Sequence, residues 1–245
     1  QRSFFFGNNI SRGQIFQSPA NVFVEGEETS LFYGFETDGI YQSDDTDLVD
    51  GAVPGDPRII DQNGDGVIDD LDRTFIGNPN PDFIYGFNLN LRYRRFNASL
   101  LFSGVHGNDI ANGNLLTIGN ATGQFQNVLS DSYYNAWRPD APSNIHPRIG
   151  YNTVGDTAIT DRIIEDGSFL RLNNITIGYD FPVDNLSVFD RFNLFITAQN
   201  LFVWTDYSGY NPEISSFSYD GLRNGVDWNG SPDAKNISIG LNLNF

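Results

Sequence analysis

From Ile237 to Phe245 the chain alternates without exception. Ile237, Ile239, Leu241, Leu243 and Phe245 hold the odd positions, and Ser238, Gly240, Asn242 and Asn244 the even ones. Strand side chains point to opposite faces in turn, so this segment predicts a strand with one apolar face and one polar, uncharged face. Its length suits a strand that crosses a bilayer at a tilt, which takes about 9–11 residues. The last strand of a soluble sandwich would alternate in the same way. In Phe83–Tyr93 the odd row is Phe83, Tyr85, Phe87, Leu89, Leu91 and Tyr93, against Gly86, Asn88, Asn90 and Arg92. Aromatics at both ends of an apolar row are what a lipid-facing stripe with two interfacial girdles requires. Ala98, Leu100, Phe102 and Gly104 continue the alternation after Arg94 and Arg95. The pair predicts an antiparallel hairpin with a short turn near Arg94–Asn97.

Further strands are predicted at Leu31–Gln42, Leu170–Phe181 and Arg191–Phe202. The phase of Leu170–Phe181 changes from even (Leu170, Leu172) to odd (Ile175, Ile177, Tyr179, Phe181), which a bulge around Asn173–Asn174 would correct. Phe195 is the one exception in the Arg191–Phe202 row. Leu129, Tyr133, Ala136 and Trp137 fall at helical spacing before Pro139. Alternation suggests about eight to ten strands, enough to close a small barrel or to form part of a larger one. No linker divides the chain, and the long connections at Gly104–Gln124 and Trp204–Asp233 read as extracellular loops.

Composition narrows the function classes. There is no run of about 18 apolar residues, so no transmembrane helix is expected, whereas a β-barrel spreads its membrane signal over alternating strands. The absence of cysteine removes disulfides and thiolate metal sites. A net charge of -17 argues against nucleic acid, whose binding rests on neutralising phosphates. The acids gather at Glu25–Glu28, Asp44–Asp50, Asp61–Asp72 and Asp131–Asp166, and read as solvated loops. With no methionine in the chain and Gln1 at its start, a processed product or a fragment is expected.

Asp61–Asp72 is the strongest chemical signature. Asp61, Asn63, Asp65, Asp69 and Asp72 place oxygen ligands at positions 1, 3, 5, 9 and 12 of a calcium loop, with Gly66 at the sharp turn and the Val67 carbonyl at position 7. Asp72 stands where an EF-hand usually has Glu. No helix pair flanks the loop, so the expectation is a structural Ca²⁺ clip, set against an acidic turn that binds nothing. Catalysis is not expected: His106 and His146 lack a zinc-site context, and no nucleophile elbow or P-loop is present. Trp137, Trp204, Trp228, Tyr207, Tyr210 and Tyr219 lie in or beside long loops, where they could stack on sugars, meet a partner or pack the loops themselves.

The chain resembles the C-terminal part of the SusC/RagA family, the TonB-dependent outer-membrane transporters of Bacteroidetes. The resemblance rests on Phe32–Gln42, on Asp61 through Asp82 to Phe87, and on Gly104–Asp109, Trp137–Pro139 and Pro147–Arg148. Asp166–Leu172, Gly178–Tyr179, Gln199–Phe202, Tyr207–Glu213 and Gly240–Phe245 carry it further. It implies an antiparallel transmembrane β-barrel section, 1–245 being the C-terminal portion of a barrel of about 22 strands, with plug domain and TonB box outside this chain. It also implies uptake of oligosaccharides or peptides across a Gram-negative outer membrane. Expected partners are a SusD-like lipoprotein lid, the N-terminal barrel and plug, TonB through that part alone, and outer-membrane lipid. Trp137, Tyr207, Tyr210 and Trp228 are the residues expected at the lid or substrate. The rival reading is a secreted, Ca²⁺-stabilised β-rich binding protein.

Overall fold

The computed structural model describes residues 4–6, 20–24, 26–49, 51–119, 127–150, 159–183, 190–217 and 223–245. Tyr219 lies outside the described residues. The strands are β1 (Phe4–Phe6), β2 (Asn21–Val24), β3 (Leu31–Phe35), β4 (Thr37–Ile40), β5 (Pro57–Ile59), β6 (Arg73–Gly77) and β7 (Phe83–Tyr93). They continue with β8 (Phe96–His106), β9 (Asp109–Asn112), β10 (Ile164–Asp166), β11 (Phe169–Phe181), β12 (Arg191–Thr205), β13 (Val226–Asp227) and β14 (Asn236–Asn244). Two short helices, α1 (Leu115–Ile118) and α2 (Ser130–Tyr134), lie between β9 and β10. No described helix is long and apolar enough to cross a membrane.

The chain divides into two compact units. Pro81–Asn108, Gly167–Pro212 and Ser231–Phe245 form a sheet unit, and Gln1–Asn80, Asp109–Asp166 and Glu213–Gly230 form a loop unit. The chain passes back and forth between them, so no single linker marks a boundary in the sequence.

The sheet unit is one antiparallel sheet in the order β14-β12-β11-β8-β7. Its register puts apolar against apolar along the middle of one face. Leu89 pairs with Leu100, Leu100 with Ile175, Ile177 with Ile196, and Ile196 with Ile239. At the end carrying the short turn, Tyr93, Phe96, Tyr179, Phe181 and Phe192 make an aromatic row, with Phe96 and Tyr179 rings 4.8 Å apart and Phe181 and Phe192 rings 4.6 Å apart. Toward the other end Phe87 stacks on Phe102 at 4.4 Å and Phe202 lies 5.9 Å from Trp204. Leucine and isoleucine fill the middle and are exposed: Leu89 by 44%, Ile239 by 73%. A contiguous apolar face of this extent is not a surface that water-soluble monomers carry.

The expected hairpin is present, with a tighter turn: Arg94 and Arg95 alone join β7 to β8, and Arg94 takes φ 54°. The register shift between Leu172 and Asn174 is the bulge that the change of phase requires. Asn200, at φ 53°, marks the matching irregularity in β12, which runs on past Phe202 to Thr205. Phe195 faces the polar side, where its ring lies over Gly240; a Cβ there would strike the ring, so glycine is what admits the aromatic.

Three expectations are corrected. Leu31–Gln42 is two strands in different sheets, not one: β3 pairs with β2 and β6, β4 with β5. Between them the Thr37 N–H turns to Asp161, and Phe32, Phe35, Ile40 and Tyr41 are buried in the loop unit, so their alternation reflects a core and not a membrane. The helix predicted before Pro139 shrinks to α2, because the Trp137 N–H is taken by the His146 carbonyl. Of the described strands only β7, β8, β11, β12 and β14 have membrane-crossing length, and their sheet is open at β7 and β14, so they do not close a small barrel.

The loop unit has a four-stranded sheet (β1-β2-β3-β6), a three-stranded one (β10-β9-β13) and the β4–β5 pair. Phe32, Ala111, Ile159, Ile163 and Val226 make its main core, and Phe35, Ile59 and Ile68 a second one.

Candidate functional site

The acidic loop folds around backbone donors. Gly64 and Gly66 N–H groups both donate to Asp61 at 2.7 Å. Asp65 N–H donates to Asn63, and Val67 N–H to Asp65, each at 2.8 Å. Gly66 takes φ 83° with open space about it, the left-handed turn that position 6 demands. Asp69 and Asp72 form a reciprocal capping box on the 3-10 turn Asp70–Asp72. Asp72 is fully buried and accepts from Gln62 N–H at 3.0 Å and Asp69 N–H at 2.7 Å. Ile68, between the ligand positions, is pinned into the second core.

The backbone N–H of Gly66, helped by those of Gly64 and Asp65, holds the Asp61 carboxyl below the usual carboxylate range. Of the nearby arginines, Arg58 pairs with Asp45 and Asp47, and Arg73 with Asp70, which is not one of the ligand positions. Among the described residues no three acidic or imidazole side chains already converge as a cage. The carboxylate oxygens engaged by N–H groups keep a second lone pair for an ion. The loop leads into β6.

The loop aromatics differ in their surroundings. Trp137 is buried, and its indole N–H donates to Gln42 at 3.0 Å. Tyr207 is buried, with its ring against Gly209. Trp228 is half-buried, its backbone bridged to Ser216, and its ring covers Gly113. Tyr210 alone of the four presents its ring to solvent, with 76% exposure. It sits in a turn anchored by Arg171 of β11, which is buried and reaches Asp233 and Asn211 at 2.6 Å each.

Residue-level reading passed over Asp56, which is fully buried. It accepts from Val53 N–H at 2.9 Å and from Arg148 Nε at 2.7 Å, while the Trp137 ring packs against Gly55. The signal was present, since Trp137–Pro139 and Pro147–Arg148 are among the blocks that carry the family resemblance.

Across β9 and β10, Asp109 stands opposite Asp166. Burial pushes the Asp109 carboxyl up, against the Asn78 N–H donated to it, and the Asp166 charge adds to the rise. A carboxyl raised on folding binds more protons folded than unfolded, so stability falls as pH climbs from the unfolded value of about 3.9 through the folded one. The unfavourable contribution is fully present above that window. Asp109→Asn keeps an oxygen for Asn78 and is expected to raise the melting temperature of the loop unit at neutral pH. Thermal unfolding followed from about pH 4 to 8 should show a flatter profile than wild type. An unchanged profile would count against the assignment.

No family model matches the chain. TonB-dependent receptor P3 of Formosa agariphila is 34% identical over 244 residues, which is 95% of this chain and 24% of the receptor. TonB-dependent receptor SusC of Bacteroides thetaiotaomicron is 27% identical over 98% of this chain and 21% of its own. A solved structure of the RagAB peptide transporter superposes with a TM-score of 0.72 at 23% identity, over 92% of this chain and 23% of that one. The RagAB peptide importer in its closed-closed state gives 0.68 at 23% identity, over 98% and 25%. The chain thus spans about a quarter of the length of the curated relatives it matches. The five-stranded sheet with its apolar, aromatic-bordered face is a section of a transmembrane barrel wall, and the chain belongs, as a C-terminal part, to the TonB-dependent receptors of the SusC/RagA type.

Proposed function

We propose that this chain supplies wall strands and outer loops to an outer-membrane importer of the SusC type. The remainder of that transporter, including the plug and the segment that meets TonB, lies in sequence outside these residues. A SusD-like surface lipoprotein covers its mouth, and its cargo is an oligosaccharide or a peptide. The observation that carries this reading is the continuous apolar face of β7, β8, β11, β12 and β14 between two aromatic rows, which suits lipid and no aqueous partner. The likeness to the SusC receptor supports the transporter class, and that to the RagAB peptide importer supports a peptide among the cargoes. The secreted rival has no use for that face.

The test concerns the connection after β12. Tyr210 is exposed on a turn that Arg171 holds in place, so Tyr210→Ala should leave the barrel assembled. In the full-length protein, deleting the residues around Tyr210 is expected to lower uptake or co-purification with the lipoprotein. Unaltered uptake and co-purification would overturn the assignment of these loops.

The same reading gives Asp61–Asp72 one structural Ca²⁺. Asp61, Asn63, Asp65, Asp69 and Asp72 would ligate it through side chains and Val67 through its carbonyl, with the ion offsetting carboxylate charge that no arginine meets. Asp65→Ala removes a central ligand, and Gly66→Val forces a β-branched residue to positive φ. Both variants are expected to abolish calorimetric Ca²⁺ binding, while chelation loosens the loop and leaves the barrel intact. Absence of binding by the wild type would leave only an acidic turn.

A further inference from the structure

Four asparagines in the chain precede glycine, so that a peptide nitrogen with no side chain to hinder it follows the carboxamide: Asn63, Asn112, Asn224 and Asn229. Three of these pairs are held or covered. Asn112 is buried, its amide donates to Glu165 at 3.1 Å, and the Trp228 ring lies over Gly113. A Cβ on Gly225 would meet Pro79 and Phe32, and one on Gly230 would meet Ile214. Asn63 and Gly64 are both exposed, with open space about Gly64. Around this pair the loop sets two hydrogen bonds of opposite sense. The Gly64 N–H donates to an Asp61 carboxylate oxygen at 2.7 Å, and the Asn63 side-chain oxygen accepts from the Asp65 N–H at 2.8 Å. The second bond closes a turn of side chain on backbone, which folds the Asn63 carboxamide toward the peptide that follows it.

We propose that Asn63–Gly64 is a self-modifying site, at which the folded loop speeds the loss of the Asn63 side-chain nitrogen as ammonia. The Gly64 nitrogen attacks the Asn63 side-chain carbonyl carbon, forming a C–N bond and closing a ring. Asp61 stands where it takes the proton that the nitrogen sheds, as a general base does. The Asp65 N–H faces the oxygen on which negative charge develops, as an oxyanion donor does. The bond from that carbon to Nδ2 then breaks, the departing nitrogen regains a proton through solvent, and ammonia leaves a cyclic imide. Water opens the imide at either carbonyl, its hydroxyl going to carbon and its hydrogen to the ring nitrogen. Aspartate or isoaspartate results at position 63. The first adds a carboxylate to a loop that already carries Asp61, Asp65, Asp69 and Asp72, and the second inserts a methylene into its backbone. Either product changes the charge or the spacing that the loop would offer to a cation, while the reaction itself needs only water.

Deamidation is to be followed in the full-length protein, purified in detergent with a calcium chelator present and incubated at neutral pH. Peptide mass spectrometry measures conversion at the four asparagines, and enzymatic methylation of isoaspartate reports the second product. The expected result is conversion at Asn63 roughly tenfold faster than at Asn112, Asn224 or Asn229, and faster than at Asn63 of the same protein unfolded in urea. Asp61→Asn keeps a hydrogen-bond acceptor for Gly64 but is a far weaker base, so it should slow conversion at Asn63 about tenfold and leave the other three unchanged. Asn63→Gln, whose longer side chain must close a larger ring, should stop conversion at this position over the same period. A native rate at Asn63 no greater than the rate in urea, or a rate that rises in Asp61→Asn, would show that these hydrogen bonds restrain the pair, and would overturn the proposal. The comparison of native with urea-unfolded protein needs no variant, so it decides the matter even where Asp61→Asn fails to fold.

Discussion

Leu89→Arg is expected to destabilise the membrane-inserted protein by about 2–4 kcal/mol, the range for a charge at the bilayer midplane of a barrel wall. Leu89 lies midway along β7, opposite Leu100, with aromatic rows toward either end of the same face. Arginine there must be buried in hydrocarbon or drag water inward. Asn88→Arg sits one residue away on the polar face, beside Ser99. There the new charge stays hydrated, and the cost should be far smaller. Equilibrium unfolding of the full-length protein from lipid bilayers measures both. Equal losses for the two variants would remove the membrane assignment of this face.

Asp56→Ala is expected to cost the loop unit about 3 kcal/mol, the low end for breaking a buried ion pair because the Arg148 side chain is 30% exposed. The substitution takes the carboxylate from the Arg148 Nε and leaves the Val53 N–H without its acceptor. Amide exchange is the suitable readout. Tyr41 N–H donates to the Asp56 carbonyl and Arg148 N–H to the Gly55 carbonyl, so both should lose roughly 100-fold in protection at about 1.4 kcal/mol per tenfold. Amides of the five-stranded sheet should be unaffected. Asp56→Asn keeps an acceptor for Val53 and should lose less. Unchanged exchange in Asp56→Ala would show that this node holds nothing together.

The two faces of the strands in the sheet unit, and the β7–β8 hairpin, were legible because the side-chain period is 2 and one face is apolar. A one-residue slip would send every leucine and isoleucine to the polar side, so the pattern excludes slips by an odd number of residues. Even the bulge near Asn173 shows as a change of phase. In Leu31–Gln42 the same reasoning misled. An alternating row says that one face is buried, not what buries it, and here the burying partners are Ile159, Ile163 and the rest of a loop core. The Gly66 turn in Asp61–Asp72 followed from spacing, because a positive-φ position is local to a few residues.

What the sequence determined by itself is therefore what short-range geometry encodes: five long strands, their faces, the hairpin turn, the bulge and the folded form of Asp61–Asp72. Tertiary structure alone decided which loop residues are available to a partner. Trp137 and Tyr207 have the composition of contact residues, yet they are buried, and Tyr210 is exposed because Arg171 reaches Asn211 in the same turn. It also decided that Asp56 meets Arg148 and that Arg92 comes within 3.8 Å of Asp180, pairings between residues 92 and 88 positions apart. Contacts at such separation depend on how loops close and strands twist, and no local period carries that information.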